Sequence, residues 1–296
     1  MGEVFVGSEA IEAGLLTDND LRRRCRPIFR GVYIPRQQEP SLRDRTVGAW
    51  LRTRRRGVIA GVAASALHGA RWVDADISIE LIAPHVRPQR GLVVRDESLG
   101  GDEITKVAGL PVTTAARTAY DLGRHLPRNQ AIARLDALTR ATPFSTEDVL
   151  LLAKRHLGAR GVQRLRAALP LVDGGAASPR ETWLRLLLID AGFPVPCTQI
   201  PVLKGFTPVA FLDMGWKEFM VAAEYDGDQH RTDRASYRNE HWRREYVDEL
   251  GWLVVRVIKE DRPDYIIERV DRAMRRRGWH PDRRFRAKTR VRRTET

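Results

Sequence analysis

Two apolar runs, Val209 to Trp216 and Phe219 to Gly227, are separated only by Lys217 and Glu218. A connection this short between β-forming segments closes an antiparallel hairpin. Centring the turn between Glu218 and Phe219 sets Asp213 directly opposite Glu224. Cross-strand opposites point to one face, with Cβ atoms about 5 Å apart. Asp226, two residues past Glu224, shares that face. The hairpin therefore gathers three carboxylates at one end of an otherwise apolar pair. The turn lacks an Asn-Gly or Asp-Gly pair to pin it, and a slip of one residue would send Asp213 to the opposite face.

Close carboxylates repel one another, and charge buried without a partner is costly. A divalent cation relieves both problems. Mg2+ (or Mn2+) takes oxygen from one or two carboxylates and keeps places for water and substrate phosphate. From there it polarises a phosphodiester and activates an attacking water. The competing reading is an acidic, solvated strand end paired with arginines. Gly227 permits a sharp turn after Asp226, so His230 can swing back over the acids as general acid or base, or hold a metal-bound water. Taken alone, His230 reads as a surface residue. Glu181 also has two readings. With Ser178 it makes a capping box on a helix running to Ala191; alternatively it aims inward at the metal site.

Around the hairpin the pattern predicts helices from Ser178 to Ala191, Tyr237 to Leu250 and Pro263 to Arg277, and a buried strand from Trp252 to Ile258. The order helix, strand, strand, helix, strand, helix describes an α/β sandwich on a mixed sheet. Glu224-Tyr225-Asp226-Gly227-Asp228-Gln229-His230, followed by Tyr237, Arg243 and Leu250-Gly251-Trp252 with Val255 and Arg256, resembles the endonuclease-like family related to very-short-patch-repair (Vsr) mismatch nucleases, within the PD-(D/E)XK superfamily. The resemblance spans about 100 residues. It implies a restriction-endonuclease-like fold and Mg2+-dependent cleavage of DNA. Asp213 and Glu224 would be metal ligands, Asp226 a second carboxylate, His230 the acid/base and Arg243 a phosphate neutraliser. The superfamily's usual lysine, two residues after the second acid, is Asp226 here, as in the Vsr-like branch. This leaves water activation to His230 or a second metal.

The first forty residues read as short helices and a hairpin. Ser8 and Thr17 are placed to cap helices, the second of which carries Leu21, Arg22, Arg23 and Arg24. Phe29 to Pro35 reads as two β pieces around Gly31. Helix, basic helix and small β-wing is the order of a winged helix-turn-helix, which sets a helix in the major groove and a wing on the backbone. A small helical cap with solvated arginines fits the same pattern. Residues 41–172 predict an α/β and helical region: a helix from Ser41 to the Arg52–Arg56 run, a small-residue helix over Val58–Gly69, strands at Ile77–Ile82 and Gly91–Arg95, helices at Thr114–Gly123 and Arg128–Thr139, then two more. His68 reads as a packed core histidine. Asp173 to Ala177 is a small flexible boundary.

Arg30-Gly31-Val32-Tyr33-Ile34-Pro35, Ser65-Ala66-Leu67-His68-Gly69 and Gly109-Leu110-Pro111-Val112-Thr113-Thr114, with Arg117-Thr118 and Asp121-Leu122, are similar to AbiEi-like antitoxin and regulator proteins. That resemblance covers about the first half of the chain and implies DNA binding by the N-terminal module. The predicted plan is thus an α/β (α+β) multidomain chain: a winged-helix-like module at 1–40, an AbiEi-like region at 41–172, a nuclease-like domain at 178–278 and a basic, disordered tail at 279–296.

The formal net charge is +13, from 51 Lys+Arg against 38 Asp+Glu. Such an excess favours polyanions, because each cation placed on a phosphate releases a counterion. The arginines assigned to nucleic acid are Arg22, Arg23, Arg24, Arg30, Arg243, Arg244, Arg276 and Arg277. Cys25 and Cys197 form neither a disulfide framework nor a zinc site. With no signal-peptide pattern and no bilayer-length apolar run, the expected location is the cytoplasm, away from membranes. The main expectation is a Mg-dependent DNA endonuclease delivered by a DNA-binding module. The alternative is a DNA-binding regulator or antitoxin whose nuclease fold is inactive. A cognate toxin or a second copy of the chain are further expected partners.

Overall fold

The computed structural model describes residues 4–227 and 234–280, with side chains in the last run from 242 onward. His230, the side chains of Tyr237 and Arg238, and the tail from 281 lie outside the described residues. The chain divides into two compact units, the first ending at Val172 and the second starting at Asp173.

In the first unit β1 (Phe5–Val6), α1 (Gly7–Glu12), α2 (Asp18–Arg24), β2 (Cys25–Phe29) and β3 (Val32–Pro35) come first. The three strands form one small sheet in the order β1-β3-β2. Thr17 caps α2 through a capping box with Asp20, as its position predicts. Ser8 instead lies inside α1, whose N-cap is Val6. Next are α3 (Leu42–Arg52), β4 (Val58–Ala60), α4 (Gly61–Leu67), β5 (Ile79–Ile82), β6 (Leu92–Arg95), β7 (Ile104–Val107) and β8 (Leu110–Thr113). These five strands make a mixed sheet ordered β6-β5-β4-β8-β7. The expected helix over Val58–Gly69 is corrected here: its first three residues are a buried central strand, antiparallel to β5 and parallel to β8. Gly61, at φ 58°, supplies the left-handed turn from that strand into α4. Phe29 and Val32 of the small sheet share one core with Ala49 and Leu51 of α3 and with Ile59, Leu81 and Val112 of the larger sheet.

Helices α5 (Ala115–His125), α6 (Arg128–Ala141), α7 (Thr146–Arg155) and α8 (Val162–Ala168) complete the unit. Every residue of α5 from Arg117 to Arg124 is buried. Gly123 allows the close approach of α8, since a Cβ there would sit 2.3 Å from Leu165 Cδ1.

The second unit comprises α9 (Pro179–Ala191), β9 (Cys197–Lys204), β10 (Thr207–Trp216), β11 (Val221–Tyr225), α10 (Arg234–Glu249), β12 (Leu253–Val257) and α11 (Pro263–Arg276). Its mixed sheet runs β12-β11-β10-β9, with β11 and β12 parallel and the other pairs antiparallel. Adjacent strand residues face opposite ways. Ala223 joins a core with Leu184, Leu188, Ile266, Val270 and Met274, whereas Ala222 joins Leu212, Ile200 and Val247. Trp279, expected in the tail, is 8% exposed and lies 5.1 Å from the Phe193 ring. A β9 strand was not expected, and Phe219 and Met220 belong to the turn rather than to β11.

Candidate functional site

The hairpin has the expected register. Met214 pairs with Ala223, Gly215 with Ala222 and Trp216 with Val221, so continuation would oppose Asp213 and Glu224. The ladder stops one pair short of them. Asp213 Oδ2 accepts the Tyr225 N–H at 2.8 Å. Arg243, reaching from α10, donates to the Phe211 carbonyl and to Glu224 Oε1, each at 2.6 Å. An acid and a guanidinium thus complete the strand end where backbone pairing ceases. Burial pushes the Asp213 carboxyl above its ordinary value, and the charge of Asp226 adds to this against the Tyr225 N–H and Arg243. Asp226 is half exposed to solvent and lies 3.7 Å from Arg244. A second guanidinium, of Arg256, stands 3.9 Å from Glu224 Oε2.

As folded, a divalent ion between Asp213 and Glu224 would have to displace the Arg243 guanidinium from Glu224. Glu224 is held by a cation already, at the position where a metal would need its lone pairs. Ser178 caps the helix that carries Glu181, and the Glu181 side chain is buried. The Glu181 N–H donates to Ser178 Oγ at 3.2 Å, and its Oε2 accepts the Ala177 N–H at 2.8 Å and Gln199 Nε2 at 3.4 Å. Of the other arginines assigned to nucleic acid, Arg276 is exposed and Arg277 donates to the Gly251 carbonyl. Arg22, Arg23, Arg24 and Arg30 are all exposed, and Arg24 lies 3.4 Å from Asp20.

The first unit holds a charged cluster that the sequence reading passed over. On α5, Arg117 Nε donates to Asp121 Oδ2 and Arg124 Nη2 to Asp121 Oδ1, both at 3.0 Å. Arg117 also donates to Glu103 and to Glu97, and Arg124 shares Glu97 at 2.7 Å. His125 lies between Glu80 at 3.3 Å and Glu97 at 3.4 Å, and His156 contacts Glu103 at 2.9 Å. Burial pushes the Asp121 carboxyl above its ordinary value, against the guanidinium N–H that each of its oxygens accepts from Arg117 and Arg124. Glu97 is lowered to about 2: burial opposes its charge, and His125, Arg124 and Arg117 outweigh that cost. Glu103 is likewise lowered, burial being overcome by hydrogen bonds from Arg117 and His156. The signal was present as Arg117, Asp121 and Arg124, spaced to meet on one helix face.

Among the described residues, one trio of His, Cys, Asp or Glu brings ligand atoms within 4.8 Å of one another: Glu97, Asp121 and His125. Arg117 and Arg124 already neutralise those carboxylates, so the trio is a charge network rather than a cation site. His68 Nε2 lies 2.8 Å from the Thr113 carbonyl, in keeping with a packing role.

Residues 54–171, which contain this cluster, match the family model of the AbiEi antitoxin C-terminal domain. Two curated relatives come from Mycobacterium tuberculosis: uncharacterized protein MT2308 of strain CDC 1551 / Oshkosh and uncharacterized protein Rv2248 of strain ATCC 25618 / H37Rv. Each is 30% identical over 236 residues, covering 79% of this chain and 85% of the relative. The chain belongs to their family. No solved structure matches it significantly. The AbiEi-like resemblance is thereby borne out over the matched residues, and the comparisons lend no support to the Vsr-like one. No described helix of this family member is long and apolar enough to cross a membrane.

Proposed function

We propose that this chain is a DNA-binding regulator of the antitoxin type. The observation that carries the reading is the match of residues 54–171 to the AbiEi antitoxin C-terminal domain. It is supported by the module before that match, in which α2 and the β2–β3 hairpin carry the exposed Arg22, Arg23, Arg24 and Arg30. A basic helix beside a wing suits the major groove and the flanking phosphates. The test is a mobility-shift assay of the full chain on the DNA preceding its own reading frame, paired with growth rescue when it is co-expressed with the neighbouring gene product. A sequence-specific shift and rescue support the reading. Neither shift nor rescue would overturn it.

A second reading, cleavage of DNA by the second unit with Mg2+ or Mn2+, is favoured by the register that leads Asp213 toward Glu224. It requires Arg243 to leave Glu224 for a phosphate oxygen. Plasmid nicking that depends on the cation and disappears in Asp213→Ala and Glu224→Ala would support it. Intact plasmid in both cations, with the DNA shift retained, would leave the regulator alone.

A further inference from the structure

A cleft of about 760 Å3 opens in the first unit between the end of α5, the chain after β6 and the α7–α8 connection. Five arginines and two histidines line it against a single carboxylate, Glu97. Most of that positive charge is matched from behind: Arg95 pairs with Glu80, Arg124 with Asp121 and Glu97, and Arg155 with Asp102. Arg160 and Arg164 are different. Both are exposed, and neither side chain has an ion pair or hydrogen bond among the described residues. On the same lining, the Tyr120 hydroxyl and Arg124 Nε are buried donors without an acceptor among the described residues. Leu157, 88% exposed, stands at the rim. The cleft is therefore rich in donors and positive charge, short of acceptors, and edged by an apolar side chain.

We propose that this cleft binds a phosphorylated small molecule of nucleotide size. Planar guanidinium groups take phosphoryl oxygens two at a time, which suits Arg160 and Arg164 to that group rather than to a neutral or cationic ligand. The volume lies within the roughly 300–1,000 Å3 typical of small-molecule sites. Leu157 offers an apolar surface to the non-phosphorylated part. The histidines strengthen the site when protonated, and His125 is raised above its ordinary value because Glu80 and Glu97 outweigh its burial. The site is distinct from the arginines of α2 and the wing assigned to DNA.

Calorimetric titration of the full chain at physiological ionic strength tests the proposal, with inorganic pyrophosphate and each of ATP, GTP, CTP and UTP as probes. Saturable binding is expected, weakened at least tenfold in the Arg160→Ala/Arg164→Ala double variant and unchanged in Arg87→Ala, an exposed arginine outside the lining. Because both cleft arginines are exposed, the double variant should melt at the wild-type temperature without ligand. A nucleotide binding tighter than pyrophosphate would assign the site to nucleotides, and equal affinity would assign it to free phosphates. Absence of saturable binding by every probe, or binding indifferent to the double variant, would overturn the proposal. So would loss of duplex-DNA binding in the double variant without any small-ligand binding, which would give the cleft to DNA.

Discussion

Arg117 and Asp121 sit one turn apart on α5 and form an ion pair at 3.0 Å in which neither side chain is more than 1% exposed. Asp121 also takes Arg124, and Arg117 also takes Glu103 and Glu97, so each buried charge has more than one partner. Such a network contributes little against an apolar core of the same shape, but removing one member leaves the others charged and dry.

Arg117→Met should therefore destabilise the first unit by about 3–5 kcal/mol, since Asp121 and Glu103 lose their main cation. Urea unfolding of the variant and the parent measures the difference. Equal midpoints would show that the acids had taken up protons instead.

The same cluster makes stability depend on pH at both ends. Glu97 is lowered from 4.5 to about 2, so its contribution is complete above its unfolded value and is lost as pH falls from there through about 2. His125 is raised, so its contribution is complete below about 6.5 and is lost as pH rises through the higher folded value. Urea midpoints across pH should fall on both sides. Glu97→Gln should flatten the acid limb, and His125→Gln the alkaline one.

Tyr120 is completely buried and its hydroxyl has no partner among the described residues, although Arg124 covers its ring at 4.4 Å. An unsatisfied buried donor costs about 1–3 kcal/mol. Tyr120→Phe keeps the ring and removes that cost, so the ligand-free variant should melt at or above the wild-type temperature by calorimetry. A clear loss of stability would reveal a partner for the hydroxyl.

Gly161 precedes α8 at φ 86°, and a Cβ there would lie 2.3 Å from the Arg124 carbonyl oxygen. Left-handed backbone costs a non-glycine residue about 1–3 kcal/mol, and this contact adds a backbone clash. Gly161→Ala should lower the melting temperature and weaken pyrophosphate binding, because it displaces the α7–α8 connection that walls the cleft.

For the DNA reading, Arg22→Ala and Arg23→Ala should each weaken binding about equally across sequences. Each should also reduce the slope of log affinity against log salt by about 1, as expected for one lost phosphate contact. Fluorescence anisotropy over a salt series gives both quantities. An unchanged slope would remove these residues from the interface.

Local rules carried much of the fold. Thr17, Ser41 and Ser178 cap the helices that follow them, and the turn over Lys217 to Met220, centred between Glu218 and Phe219, sets the observed register of β10 against β11. Strands β1, β4, β7, β8 and β9 escaped, and two of them show why. Val58-Ile59-Ala60 is followed by small residues that read on as helix, and only its neighbours β5 and β8 make it a strand. Cys197–Lys204 alternates poorly, with Pro201 inside it and much of it exposed, so pairing with β10 rather than its own pattern defines it.

The candidate site divides along the same line. That Asp213 and Glu224 approach one strand end was legible, because hairpin register depends on residues close in the chain. That Glu224 meets Arg243, 19 residues later, and that Arg117 meets Glu103, 14 residues earlier, was decided only when separate elements packed. The sequence by itself determined which turns, caps and strand faces form, since those energies are set within a few residues. Tertiary packing determined which charges are buried and what neutralises them, since desolvation and pairing depend on neighbours that chain distance does not reveal.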